Sequence, residues 1–218
     1  MTIFTDAPNR PVILTVPGLG GSGPTHWQTL WEQDIPDTHR AELGMWDKPE
    51  RNAWVTRLNQ SICDARAPVV LGAHSLGCLA VAWWAMGAPR PFRGPVAGAL
   101  LVAPPDVDRS GAHPDLLSFK PSPRRPLPFP SIVVASSDDP WIEIERARDL
   151  ASQWCSHFVD AGPKGHLNAA SDIGGWAAGR ALLNRVLDAA ADNSGKPRTV
   201  ADARRVLATE PAERDRLR

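Results

Sequence analysis

The chain has 218 residues, a length that suits one domain with a sizeable core. Its 24 Lys plus Arg residues balance its 24 Asp plus Glu residues, which argues against nucleic acid or a membrane surface as a partner. The three cysteines are widely spaced and fit neither a zinc site nor a disulfide framework, and the chain has neither a basic, apolar leader nor a run of membrane-spanning length. We therefore expect a soluble, cytoplasmic protein.

Short apolar runs rich in β-branched residues alternate along the chain with segments of helical period. The predicted strands are Val12–Val16, Val69–Ala73, Val96–Ala103 and Ser131–Ser136, with weaker ones near Thr38 and His157. The predicted helices between them are HWQTLWEQD, RNAWVTRLNQSICDA, LGCLAVAWWAM and IEIERARDLASQWC. Near-continuous apolar strands bounded by helices are typical of a mostly parallel sheet covered on both faces. The sequence therefore predicts a three-layer α/β domain over residues 1–192, with right-handed crossovers.

A glycine-rich loop, TVPGLGGSGPTHW, follows the first predicted strand. Gly18, Gly20 and Gly23 have the G-x-G-x-x-G spacing of a dinucleotide-binding loop, and Glu42 lies about twenty residues on, near the place of the acidic residue that binds ribose. The late start of the next helix and the flexible Gly20-Gly21 pair argue against a pyrophosphate site. The alternative is a loop that brings a backbone N–H to an oxyanion, since glycine permits close approach.

The second clear strand leads into His74-Ser75-Leu76-Gly77 and then into an apolar helix. This strand–turn–helix context is that of a nucleophile elbow, in which small residues flank the serine at two positions on either side. Ala73 and Gly77 occupy those positions. Ser75 is therefore a candidate nucleophile, with a serine in an ordinary βα loop as the alternative. We expect the side chain of His74 to point away from the Ser75 hydroxyl and to be structural.

Eight prolines fall within Pro104–Pro130, and no helical period is sustained there. Proline removes a backbone donor and disfavours helix at the preceding residue, so the segment is predicted as a long ordered loop without a lid helix. Loops of this length are often functional, and a wall of an acyl pocket or a surface connector are both open here.

A serine nucleophile needs a histidine base oriented by a carboxylate, and in α/β-hydrolases these follow in the order Ser, Asp, His. The last clear strand ends in Asp138-Asp139-Pro140, at the edge of the sheet where such sites lie. Asp139 is favoured because Pro140 fixes the local turn, and Asp138 is the alternative. Of the two later histidines, His157 lies in a predicted strand, whereas His166 lies in a loop and is the predicted base.

With Ser75, Asp139 and His166 in this order, the oxyanion interpretation of the glycine loop is favoured over the dinucleotide one. The predicted oxyanion donors are the amides of Leu19 and Leu76.

The motifs PGLGGSGPTHW, MWDKP, AHSLGC, LLVAPPDVD, ASSDDPW and GPKGHLNAAS resemble the small serine hydrolases typified by retinoblastoma-binding protein nine and its bacterial relatives. The resemblance extends from Val12 to Leu183. It implies a compact α/β-hydrolase fold without a helical lid domain and the same three residues as a triad, and it leaves the substrate open. We expect hydrolysis of small esters, or of amides, through an acyl-enzyme on Ser75 without a metal or organic cofactor. Ala73 departs from the glycine usual in the family.

Five further positions are candidates near this site. His26 and Trp27 either line the substrate pocket or pack at the start of a helix, and Trp141 is a candidate wall of the acyl pocket. Trp46 either lines the same rim or fills the core, and Asn168 is a candidate support for the histidine loop.

The composition changes after Asp192, where we expect a charged tail over residues 193–218 with one short helix at Val200–Leu207. Two other functions compete with ester hydrolysis. One is a non-catalytic binding or scaffold protein on the same fold, and the other is a nucleotide-dependent enzyme that uses the glycine loop.

Overall fold

A parallel sheet lies at the centre of the computed structural model, which describes residues 11–65, 67–87 and 95–193. Within these ranges the sheet has six strands in the order β2-β1-β3-β4-β5-β6, and every neighbouring pair is parallel. The strands are β1 (Val12–Val16), β2 (Thr38–Arg40), β3 (Val69–His74), β4 (Val96–Val102), β5 (Ser131–Ala135) and β6 (His157–Asp160). All six predicted strands, including the two weaker ones, are confirmed.

Helices cover both faces of this sheet. Those in the described residues are α1 (Trp27–Asp34), α2 (Arg51–Asp64), α3 (Leu76–Gly87), α4 (Ile144–Gln153) and α5 (Ala177–Asn193). The first four coincide with predicted helices, whereas α5 is absent from the predictions. Successive strand residues point to opposite faces, so Leu14 and Ile13 enter different clusters of the core. The cluster of Leu14 includes residues of α2, α3 and α4, and that of Ile13 includes residues of α1 and α5, which confirms the three-layer architecture.

The proline-rich segment between β4 and β5 is a packed loop. Its regular structure in the described residues is a single 3-10 helix at Pro114–Phe119. Phe119 is fully buried in the core, and its carbonyl oxygen accepts a hydrogen bond of 3.0 Å from the indole of Trp83. The segment is therefore an ordered loop, as predicted, and it has no lid helix in the part of the chain described.

The carboxyl ends of the strands lie at one edge of the sheet, and the loops that leave this edge carry the predicted site. The register pairs Val16 of β1 with Ala73 of β3, so the glycine loop begins beside the turn that holds Ser75. The predicted domain limit at Asp192 falls in the last turn of α5. The predicted tail helix lies outside the described residues. No described helix is both long enough and apolar enough to cross a membrane.

Candidate active site

Ser75 lies in a sharp turn between β3 and α3. Its φ angle is 52°, a left-handed value that is costly for a residue with a Cβ and that typically marks functional sites. The turn also requires glycine two residues later, because a Cβ at Gly77 would overlap the carbonyl oxygen of Val16 and lie 2.7 Å from that of Pro17. Ser75 remains half-buried. The local geometry is that of the predicted nucleophile elbow, and Ala73 is accommodated in place of glycine.

The structure brings the predicted serine, histidine and aspartate into one hydrogen-bonded line. Nε2 of His166 lies 2.8 Å from Oγ of Ser75, and Nδ1 lies 2.9 Å from both carboxylate oxygens of Asp139. A carboxylate only accepts, so Nδ1 carries the proton and Nε2 is free to accept from the serine hydroxyl. The side chain of Asp139 is completely buried. This arrangement can deprotonate Ser75 as it attacks an electrophile.

The two adjacent aspartates occupy different environments. Asp139 accepts a hydrogen bond of 2.9 Å from the amide of Trp141, in addition to that from His166. Asp138 is exposed, and its Oδ1 accepts hydrogen bonds from Oγ of Ser136 and from the amide of Gly165, both at 2.7 Å. These donors lower the pKa of Asp138 below its ordinary value, the Ser136 hydroxyl most of all. Asp138 thus supports the loop that precedes His166, while Asp139 contacts the imidazole.

The loop that precedes His166 has a second hydrogen bond to the segment after β5, in which the amide of Lys164 donates to Oγ of Ser136 at 2.8 Å. Ser136 therefore donates to one loop partner and accepts from another. Neither this serine nor the role of Asp138 was predicted. The doubled aspartate was a usable signal, because only one carboxylate can contact the base.

Two buried histidines lie beneath His166. Nε2 of His74 donates to the carbonyl oxygen of His166 at 2.9 Å, and their ring centroids are 5.0 Å apart. Burial holds the pKa of His74 well below its ordinary value. The ring of His26 lies 4.7 Å from that of His74, and its pKa is lowered to about 4 by burial first, then by the positive charge of Arg40 and by the neighbouring imidazole of His166. Both supporting imidazoles are thus neutral near pH 7.

The glycine loop lies directly against the nucleophile. A Cβ built on Gly18 would lie 2.7 Å from the Cβ of Ser75 and 3.1 Å from the amide nitrogen of Leu76. The amide of Gly20 donates to the carbonyl oxygen of Trp46 at 2.9 Å, whereas the amide of Leu19 has no acceptor among the described residues. The segment that carries the Leu19 amide is therefore in close contact with the turn that carries the Leu76 amide.

The first helix does not offer a free N-terminus to a pyrophosphate. α1 begins at Trp27, and Nδ1 of His26 accepts from the amide of Gln28 at 3.2 Å and so caps it. Glu42, the acidic residue that the dinucleotide interpretation requires, is exposed. The placement of the loop favours an oxyanion role over a nucleotide-binding one.

The weaker candidates occupy different places. Trp27 is fully buried, and its indole donates to the carbonyl oxygen of Leu167 at 3.0 Å. It therefore packs at the start of the helix and supports the loop that carries His166. His26 is 4% exposed and belongs to the same layer. Trp141 is half-buried, with its ring centroid 5.9 Å from that of His166, so it lies beside the imidazole.

Trp46 and Asn168 flank the site at opposite ends. The half-buried ring of Trp46 lies 5.5 Å from that of the core residue Trp54 and also faces the backbone of Gly21 in the glycine loop. It therefore contacts both the core and the rim of the site. Asn168 caps a short turn after His166 by accepting a hydrogen bond of 2.9 Å from the amide of Ala170, which stabilises the loop that carries His166. Within the described ranges, no group of three histidine, cysteine or acidic side chains is placed to hold a metal ion.

Comparison with known proteins gives a consistent result. A family model described as "Serine hydrolase" matches residues 13–185. A YdeN-like hydrolase from Pectobacterium atrosepticum is similar in structure, with a TM-score of 0.71 and 30% sequence identity over 84% of this chain and 92% of that one. No curated protein sequence matches the chain significantly.

More distant structures share the fold alone. The ydeN gene product of Bacillus subtilis has a TM-score of 0.66 at 18% identity, over 82% of this chain and 99% of that one. The esterase domain of a Rhodothermus marinus protein has a TM-score of 0.61 at 16% identity, over 84% and 89% of the two chains. The comparisons confirm the predicted α/β-hydrolase fold and a small serine hydrolase family. They point to YdeN-like hydrolases and do not single out retinoblastoma-binding protein nine.

Proposed function

The chain belongs to the serine hydrolase family, and from that membership we propose that it cleaves small carboxylic esters through an acyl-enzyme formed on Ser75. The observation that carries the proposal is the line from Asp139 through His166 to Ser75, with distances of 2.9 Å and 2.8 Å at the two imidazole nitrogens. Nucleophilic catalysis by serine requires this combination of hydroxyl, base and orienting carboxylate.

In the acylation step, Oγ of Ser75 attacks the ester carbonyl carbon while Nε2 of His166 accepts the hydroxyl proton. Asp139 keeps the imidazole in the reactive tautomer and stabilises the imidazolium that forms. The tetrahedral intermediate then collapses, and the departing alkoxide takes its proton from His166. The products of this step are the free alcohol and an ester of Ser75.

The negative charge that develops on the carbonyl oxygen needs preorganised donors. We assign this role to the amides of Leu19 and Leu76, because the glycine loop packs against the elbow so closely that a Cβ built on Gly18 would lie 3.1 Å from the Leu76 nitrogen, and because the Leu19 amide has no acceptor among the described residues. Each such donor contributes about 3–4 kcal/mol in comparable sites. The N-terminus of α3 adds a favourable dipole.

Deacylation repeats the chemistry with water as the nucleophile. His166 takes a proton from the water as it attacks the acyl carbon, and returns that proton to Oγ of Ser75 as the acid departs. Ester and water thus give acid and alcohol, and the enzyme returns to its starting state. Amides follow the same route with an amine as the leaving group.

The proposal is tested with p-nitrophenyl acetate and stopped-flow detection of p-nitrophenol. The wild-type protein is expected to turn over the ester, and Ser75→Ala is expected to lose nearly all of that activity with an unchanged far-ultraviolet circular dichroism spectrum. Ser61→Ala, on α2, is the matched control, because the hydroxyl of this half-buried serine donates to the carbonyl oxygen of Arg57 in the same helix, and the variant is expected to behave as wild type. Activity that persists in Ser75→Ala would remove the proposed nucleophile. A folded wild type that cleaves no ester would favour the binding or scaffold function.

A further inference from the structure

The distribution of exposed apolar side chains is uneven. In the described part of the chain three large ones are exposed, namely Met45 at 57%, Leu117 at 46% and Met86 at 38%. Met45 follows β2 and Leu117 follows β4, so both lie on loops that leave the same edge of the sheet as Ser75. Met86 lies near the opposite end of α3, about 15 Å along the helix axis from its first turn. Exposed apolar side chains on loops at the sheet edge that carries Ser75 indicate that a ligand with an apolar part covers them when it binds.

Met45 is held in an unusual conformation next to the glycine loop. Its φ angle is 47°, in the left-handed region that a long side chain rarely adopts. The carbonyl oxygen of the next residue, Trp46, accepts a hydrogen bond of 2.9 Å from the amide of Gly20. The ring of Trp46 lies 3.6 Å from the position that a Cβ on Gly21 would take. The loop that displays Met45 is therefore fixed to the segment that carries the Leu19 amide.

Leu117 lies in the 3-10 helix Pro114–Phe119, which connects the base to the Met45 loop. At one end, His113 caps this helix and its ring lies 6.0 Å from that of Trp141, which in turn lies 5.9 Å from His166. At the other end, Oγ of Ser118 donates to the carbonyl oxygen of Pro49 at 3.0 Å. Met45 and Leu117 are thus on neighbouring loops, with half-buried Trp141 beside His166 and half-buried Trp46 against Gly21.

We propose that Met45, Trp46, Leu117 and Trp141 form an acyl-binding surface, and that the substrates are esters of medium-length aliphatic acids. This inference rests on the proposed ester hydrolysis at Ser75. A chain of methylenes would cover the exposed thioether and isobutyl groups, as transfer of apolar surface from water favours. An aliphatic acyl chain requires no charged partner, and the four side chains of the proposed surface are uncharged. The guanidinium of Arg109 lies 6.0 Å from the ring of Trp141 and donates to the carbonyl oxygen of Pro140.

The test compares kcat/KM for p-nitrophenyl acetate, butyrate and octanoate. In the wild type, kcat/KM is expected to rise by up to about fourfold for each added methylene that is buried. Met45→Gln and Leu117→Gln are each expected to lower the octanoate-to-acetate ratio of kcat/KM by about tenfold, since a polar amide replaces the apolar contact. Met86→Gln is the matched control, because it makes the same chemical change on an exposed methionine away from the site, and its ratio is expected to equal that of the wild type.

Three results would overturn the inference. They are a wild type that prefers acetate, an unchanged ratio in both Met45→Gln and Leu117→Gln, or an equal fall in Met86→Gln. If acetate is still cleaved in a Ser75-dependent reaction, any of these results refutes the acyl surface and leaves ester hydrolysis intact. If the folded wild type cleaves none of the three esters, the proposed function and the acyl surface both fail. Thermal melts of each variant establish that the fold is retained.

Discussion

The imidazole Nε2 of His74 lies 2.9 Å from the carbonyl oxygen of His166, so the residue beside Ser75 holds the main chain of His166. His74 ends β3, and Ser75 follows it in the elbow. One buried side chain therefore ties together two loops that come from distant parts of the sequence. A carbonyl that loses this donor would let His166 drift from both of its partners, and displacements near 1 Å reduce rates by up to about a hundredfold.

Two substitutions at His74 distinguish the hydrogen bond that this side chain donates from the space that its ring fills. We expect His74→Phe, which keeps a ring and removes the donor, to lower kcat about 10- to 100-fold with little change in KM, because substrate contacts are retained while the base is misplaced. His74→Gln places an amide donor near the position of Nε2 and is expected to recover a large part of kcat. Steady-state kinetics on active-site-titrated enzyme measures both. Equal kcat for the phenylalanine variant and the wild type would show that the hydrogen bond is dispensable.

The adjacent aspartates offer a matched pair of substitutions. Asp139→Asn is expected to lower kcat about 10⁴-fold, because an amide at this position stabilises the wrong tautomer of the histidine. Asp138→Asn keeps an oxygen that accepts from the Gly165 amide, so its kcat is expected to fall less than about tenfold. The two kcat values on one ester decide the assignment. A larger loss in Asp138→Asn than in Asp139→Asn would exchange the two roles.

Much of this edge of the sheet was predictable because parallel strands bring their carboxyl ends together. Apolar runs identified the strands, and the predicted Ser75, Asp139 and His166 follow strand ends, so the topology brings them to one edge. The choice between Asp138 and Asp139 rested on one proline, and in the structure it is Asp139 that contacts the imidazole of His166.

Other features depend on contacts between distant segments, which no local pattern encodes. The hydrogen bond from His74 to His166 spans 92 residues, and the one from the Trp27 indole to Leu167 spans 140. Trp27 was a pocket candidate because it follows the glycine loop, but helical rotation turns its ring into the core. The helix α5 was also missed, although Leu183 and Val186 on it are buried against the sheet.

The elbow is expected to tolerate no side chain at Gly77. A Cβ there would overlap the Val16 carbonyl, so Gly77→Ala should reduce the free energy of unfolding by about 1–3 kcal/mol and lower activity through displacement of the turn. Gly23→Ala is the control, because nothing lies within 4 Å of the added methyl group. Urea unfolding of both variants measures the difference. Equal stabilities would mean that the turn relaxes freely around a methyl group.

Stability is expected to fall as the pH drops below 6.5, because His26 is neutral in the fold down to a pKa of about 4 while the unfolded chain protonates it near 6.5. The unfolded state thus binds the extra proton between these values, which costs the fold up to about 1.4 kcal/mol per pH unit and about 3 kcal/mol in all. His74 acts in the same direction. The lowered pKa of Asp138 acts below 3.8, outside this window.

His26→Asn isolates the contribution of His26, because asparagine caps a helix well and does not titrate. Urea unfolding between pH 4.5 and 7 is expected to show a shallower pH dependence in this variant than in the wild type. Parallel curves for the two proteins would mean that His26 protonates as readily in the fold as in the unfolded chain.

The most direct test of the central claim is the intact mass of the protein after treatment with a fluorophosphonate, which reacts only with an activated serine. One adduct is expected on the wild type, with none on Ser75→Ala and almost none on His166→Ala. A wild type that gains no mass, or a Ser75→Ala variant that gains the same adduct, would contradict an activated Ser75.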